Sequence, residues 1–209
     1  MKNYVKEFTP GTSRVEAFSD GVFAIVVTLL VLEIRVPHLP EGFSSQTVVT
    51  ELFHMSPKFI SFALSFLVVA IFWVNHHQLL HSMEKTDRSF LWYNNFLLFW
   101  ISFIPFPTAF IGEYPLGMIP VMFYGTILFM AAFSFNIMLR HVVKSNLFYS
   151  TVSKEVIRQS IKKGKLGPVV YFISVIVAFI SVYISLAVFV LVPVFYFIPQ
   201  KIVRTDTEK

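Results

Sequence analysis

The sequence predicts an all-α, polytopic membrane protein with about six transmembrane helices, and three observations predict it. Hydrophobic residues make up 56% of the chain and charged residues 14%, where a soluble domain carries about 25% charged residues. The mean hydropathy is +0.69. The apolar residues also fall in runs close to the ~20 needed to cross a bilayer's hydrocarbon. Twenty-five phenylalanines in 209 residues are more than one soluble core of this size uses. Cysteine is absent, so no disulfide framework is available.

The first helix is expected from about Val15 to Glu33, ending ahead of Pro37, because proline disfavours helix at the residue before it. It carries Asp20 and Glu33 and lacks a small-residue cleavage site, so it reads as a retained helix and not as a signal peptide. A polar loop with Pro37, Pro40 and Gly42 follows. The second helix runs from about Pro57 to His81, with Ser56-Pro57 as its start. The third spans Ser89 to Ile111, and Pro105 and Pro107 should kink it near its far end. Gly112 to Pro115 make a tight turn, and the fourth helix covers Leu116 to His141.

A basic, amphipathic segment from Lys144 to Lys165 comes next, read as a solvated loop with contact to anionic lipid as its alternative. The last apolar stretch, Leu166 to Pro199, would be ~50 Å long as one helix, beyond the ~30 Å hydrocarbon core. Two short helices with a turn near Val182 to Ser185 fit better. No internal repeat or low-complexity linker divides the chain, so residues 1–209 are expected to form one domain.

Basic residues orient this arrangement. With six helices, all of the 17 lysines and arginines except Arg35 and Lys58 fall on one side. The positive-inside rule makes that side the cytoplasm and puts both termini there. The net charge of +5 is therefore sorted by membrane side and does not indicate nucleic acid.

Polar residues inside a membrane are costly and need a reason. Arg14, Ser19 and Asp20 on the first helix, Trp73, Asn75, His76, His77 and His81 on the second, Asn94 and Asn95 on the third, and Asn136, Arg140 and His141 on the fourth lie near one level. They define a polar belt in the cytoplasmic half. The expected pairing is Asp20 with Arg14 or with a histidine of the second helix, since a carboxylate there needs a cation or several donors. Such a belt either locks the helices together or serves a proton relay or gate.

His77 and His81 share a helix face at metal-ligand spacing. There are only six histidines, no HExxH and no acidic residue beside the pair. Metal catalysis is therefore not expected. Serine-nucleophile and phosphate-cradling glycine motifs are absent too, so no enzyme activity and no cofactor are expected.

Ile25, Thr28, Leu29 and Leu32 recur at i, i+3, i+4 and i+7, one stripe of the first helix. The stripe is either helix packing or, around a symmetry axis, a set of apolar rings with one hydroxyl ring. Hydrophobic rings can gate a pore by dewetting. Periodicity alone leaves both readings open.

The segment Arg14-Val15-Glu16-Ala17-Phe18-Ser19-Asp20 resembles the R-x-x-x-F-S-D signature of the endosomal and lysosomal potassium-channel family and its prokaryotic homologues. Phe72 to His77 resemble that family's second-helix motif, and Ile104 to Thr108 its third-helix ending. The resemblance implies a homotetramer in the cell membrane whose first helix lines a central pore, without a T-V-G-Y-G filter. It implies a hydrophobic constriction at Ile25, Leu29 and Leu32, and a potassium preference involving Thr28. Arg14, Phe18, Ser19 and Asp20 would form a network with Trp73 and either His76 or His77 that secures the pore helix. The function implied is passive, potassium-selective permeation, with potassium ions, the bilayer and further copies of the chain as partners. Proton conduction by the same fold is the alternative.

Overall fold

The structure, a computed structural model, describes residues 11–197. Lys2, Lys6, Lys201, Arg204, Lys209 and the end of the last apolar stretch at Pro199 lie outside the described residues. The order is α1 (Thr12–Leu32), α2 (Ser45–His54), α3 (Ser56–His81), α4 (Arg88–Phe103), α5 (Pro105–Glu113), α6 (Met118–Lys144), α7 (Lys154–Val177) and α8 (Val182–Phe197). Four segments are long and apolar enough to cross a membrane: Thr12–Leu32, Ser56–His81, Arg88–Glu113 and Met118–Lys144. Val182–Val194 is a shorter apolar helix.

The polar connection after α1 holds a helix that hydropathy did not suggest. Ser44 caps α2 by accepting a hydrogen bond from the Thr47 backbone N–H at 3.2 Å. Met55 then serves as the C-cap of α2 and the N-cap of α3. Pro57 sits in the first turn of α3, where its missing N–H costs no helical bond.

The break between α4 and α5 falls at Ile104. Pro105 has no N–H to offer Ile101, and the Ile104 N–H reaches that carbonyl in a tighter turn at 3.1 Å. Thr108 donates back to the Ile104 carbonyl from both its backbone N–H (3.1 Å) and its hydroxyl (2.8 Å), restoring the helix.

Two expectations are corrected near the C-terminal end. The basic segment is not a solvated loop beyond residue 153. Ser153 caps α7 through the Val156 N–H, and Ile157, Ser160, Ile161 and Gly164 form a partly buried stripe at helical spacing. The first apolar half of the final stretch continues this same helix, through Pro168, to Val177. The turn lies at Ala178 to Ser181, and Val182 and Ser185 already belong to α8. Its signal was Ser181 as a helix start, not glycine or proline. The Ser181 carbonyl accepts from the Ser185 N–H at 3.3 Å, and the buried Ser185 hydroxyl donates to the Ser174 carbonyl at 3.0 Å to tie the hairpin.

The most extensive helix pairing is α6 with α7, followed by α4 with α6 and α3 with α5. Phe23, Val26 and Leu30 of α1 meet Val69 of α3 and Phe90, Leu97 and Ile101 of α4 in one continuous core. Gly125 of α6 permits close approach of the α7–α8 hairpin, for a Cβ there would lie 2.9 Å from Phe189 Cζ and Val175 Cγ2. At the other end of the interface, a Cβ on Gly164 would lie 3.1 Å from Asn136 and Leu139.

The α3–α4 and α6–α7 connections are tied at one end of the bundle by an isolated antiparallel bridge between Met83 and Phe148. The Glu84 N–H donates to the Leu147 carbonyl (2.9 Å) and the Tyr149 N–H to the Ser82 carbonyl (3.1 Å). Asp87 reinforces this end, capping α4 through the Phe90 N–H at 2.7 Å and meeting His141 Nε2 at 2.9 Å.

Candidate functional site

The residues around α1 divide by helix face. Val15, Ser19, Phe23, Val26 and Leu30 are buried, recurring every three or four residues as a packed face must. On the opposite face Phe18, Ile25 and Leu32 are 59%, 59% and 69% exposed, and Leu29 is 41% exposed. Thr28 shares that outer face. Its hydroxyl donates back into the helix, to the carbonyls of Ile25 (2.8 Å) and Ala24 (3.1 Å), which leaves the oxygen lone pairs turned outward.

The belt residues that link α1 to α3 and α4 fall into two separate sets, while Asn75 donates to the Ile71 carbonyl of its own helix and His141 meets Asp87. The first is buried. Asn94 of α4 stands between α1 and α3: its Nδ2 donates to Ser19 Oγ at 3.0 Å, and its Oδ1 accepts from His76 Nε2 at 2.7 Å. Because an amide oxygen only accepts, this bond assigns the ring proton of His76 to Nε2. Ser19 in turn donates to the Val15 carbonyl at 2.8 Å. His76 Nδ1 is buried with no hydrogen-bond partner, beside the Phe23 ring at 5.5 Å.

The second set is a half-exposed ladder between α1 and α3. Trp73 Nε1 donates to Asp20 Oδ1 at 2.9 Å, and His77 Nδ1 lies 3.0 Å from Glu16 Oε1. Each pair of partners is four apart on its own helix, so both rungs face the same groove. The Trp73 and His77 rings stack at 5.7 Å and 23°, and the His77 and His81 rings at 6.3 Å and 15°.

The expected pairing of Asp20 with Arg14 or a histidine is thereby corrected. Six residues along a helix is about 240° around it, so Arg14 cannot meet Asp20 on one face. Arg14 is exposed and has no ion pair among the described residues. His76 points to α4, while His77 takes Glu16. Phe18 stands on the outer face, outside both sets.

Asn94 belongs to the expected belt but carries no expected role in the network, and Glu16 is absent from both. Glu16 and Asp20 at i, i+4 facing Trp73 and His77 at i, i+4 was the available signal. Among the described residues, no group of three or more histidine and carboxylate side chains is placed to hold a metal ion.

Fold and site together define a helical, polytopic membrane protein whose first helix is anchored on one face and bare on the other. Its residues 14–105 match the family described as endosomal/lysosomal potassium channel TMEM175, and the chain belongs to that family. A protein of Chamaesiphon minutus described as a potassium channel is 34% identical over 88% of this chain and 93% of its own length. The crystal structure of a lysosomal potassium-selective channel TMEM175 homolog from that organism superposes with a TM-score of 0.79 at 33% identity, covering 88% of this chain and 95% of the other. The human protein described as endosomal/lysosomal proton channel TMEM175 is 38% identical over 44% of this chain and 19% of its own length.

Proposed function

We propose that this chain is one subunit of a homotetrameric, potassium-selective channel of the cell membrane. Residues 1–209 form a single domain that crosses the membrane six times, and both termini are cytoplasmic. The observation that carries the reading is the division of α1 into a packed face and a bare face of Ile25, Thr28, Leu29 and Leu32. A helix packed within one bundle on one side only has its other side free to line an axis shared by several copies. The relatives' assignment as potassium channels supports the same use.

Four copies of that face would stack rings of isoleucine and leucine over ~10 Å, from Ile25 to Leu32. A constriction of this kind keeps water out when narrow and admits ions when α1 shifts and the rings widen. Thr28 adds one ring of outward lone pairs, the only hydroxyl on that stretch, where a partly dehydrated cation finds oxygen. Permeation is passive and uses no cofactor. Ser19, Asp20, Trp73, His76 and His77 act on this pathway indirectly, through the position of α1. Lys85 in the tied α3–α4 connection, and Arg88, Lys144 and Lys154 at the helix ends that the two connections join, support the cytoplasmic assignment of that end.

The test is ion flux into liposomes holding the purified protein. Potassium uptake down its gradient, exceeding sodium uptake, is expected without any energy source. Absence of cation flux from folded, inserted protein would refute the proposal. Proton conduction is the second reading, favoured by the bare, buried Nδ1 of His76 and by the description of the human relative as a proton channel. Reversal potentials in opposed potassium and proton gradients separate the two.

A further inference from the structure

A cavity of about 380 Å³ lies between α3 and α7, floored by α6 and flanked by Val192 and Pro193 of α8. That size suits a small-molecule site, and its lining changes in character along its length. Two helices running in opposite directions give the same gradient. On α3 the wall passes from Val68 and Phe72 to Gln78 and His81 as the helix nears the basic end. On α7 it passes from Tyr171, deep in the bundle, out to Lys163 and Ser160. The cavity is apolar at membrane depth and polar and basic at the level where headgroups sit.

We propose that this crevice binds one anionic phospholipid from the leaflet on the basic side, with an acyl chain along Val68, Phe72 and Tyr171 and the phosphate at Lys163, Gln78 and His81. A soluble ligand has no use for the deep apolar end, and a zwitterionic lipid gains little from the basic mouth. Two successive contacts link the site to the proposed pore helix. His81 stacks on His77, and His77 meets Glu16 of α1. A bound phosphate would hold His81, and through it the outer rung of the ladder. Only this regulatory consequence rests on the channel reading; binding itself does not.

The experiment is native mass spectrometry of the full chain in detergent, titrated with phosphatidylglycerol, phosphatidylcholine or oleate. Saturable phosphatidylglycerol binding is expected at tenfold lower concentration than phosphatidylcholine binding. Lys163→Gln should remove that preference, and Ser160→Trp, which fills the crevice, should remove the saturable site while keeping the wild-type melting temperature. Ile71→Trp fills it from the opposite wall should the first variant fold poorly. Equal affinity for the two phospholipids overturns the proposal, as does oleate binding as tightly as phosphatidylglycerol. Retention of the site in both filled variants overturns it too, and so does loss of oligomers in place of lipid, which would make the crevice a subunit contact. No ion flux is read, so failure here leaves the permeation reading standing.

Discussion

Trp73 Nε1 donates to Asp20 Oδ1 across 2.9 Å, fastening α3 to α1 five residues before Ile25. The indole is 40% exposed, so the bond is worth less than a buried, charge-assisted one, on the order of 1 kcal/mol. Its leverage lies in where it acts. Trp73→Phe keeps the ring and removes the donor; it should lower the melting temperature slightly and disturb gating more than fold. Asp20→Asn keeps an acceptor oxygen and should be milder than Asp20→Ala. Thermal melting beside liposome flux checks both. Wild-type flux in Trp73→Phe would remove the anchoring role.

Ile25→Asn tests the bare face of α1. An amide in the first ring keeps the constriction wet, so conductance should rise severalfold or potassium preference should fall. Because Ile25 is already 59% exposed in one subunit, the change should cost little in subunit stability, within ~0.5 kcal/mol. Unchanged single-channel currents would mean that α1 is not the pore wall.

Ser65, Thr108 and Tyr124 join α3, α5 and α6 through buried hydroxyls, with Thr108 Oγ1 2.7 Å and Tyr124 Oη 3.0 Å from Ser65 Oγ. The central member should matter most. Tyr124→Phe removes one end of the chain and leaves Ser65 paired with Thr108, a loss of ~0.5–1.5 kcal/mol. Ser65→Ala strands the Tyr124 hydroxyl in a fully buried place, which should cost about 1–3 kcal/mol. Denaturation of the two variants in one detergent gives the order, and the reverse order would mean the phenol finds another partner.

Spans were legible where apolar length alone decides, as in α1, α3 and α6. The Ile104 break was legible as well, because Pro105 removes a donor whatever surrounds it. The start of α2 and the turn at Ala178–Ser181 were not, since both depend on a serine cap. Ser44 and Ser181 stand among several serines that cap nothing. In the site, the exposed stripe of α1 could be placed by periodicity, but its partners could not. Whether Asp20 meets Arg14, His76 or Trp73 depends on how α1 and α3 are rotated about their axes. That rotation is set by Phe23, Val26 and Leu30 packing into α3 and α4, a tertiary fact absent from any local pattern.

Gly125→Ala sets two known effects against each other. Alanine favours an α-helix over glycine by ~1 kcal/mol. The added Cβ would stand 2.9 Å from both Phe189 Cζ and Val175 Cγ2, closer than packed carbons tolerate. Phe189 is fully buried and held between Tyr124 and Tyr171, with ring centroids at 5.1 and 6.4 Å. The ring therefore has little room to yield, and overpacking of this kind costs about 1–3 kcal/mol. The clash should win, with a net loss of up to ~2 kcal/mol and an α7–α8 hairpin that opens more readily to proteolysis. A melting temperature above that of the wild type would show that the hairpin shifts freely on α6, and that Gly125 is not what fixes its approach.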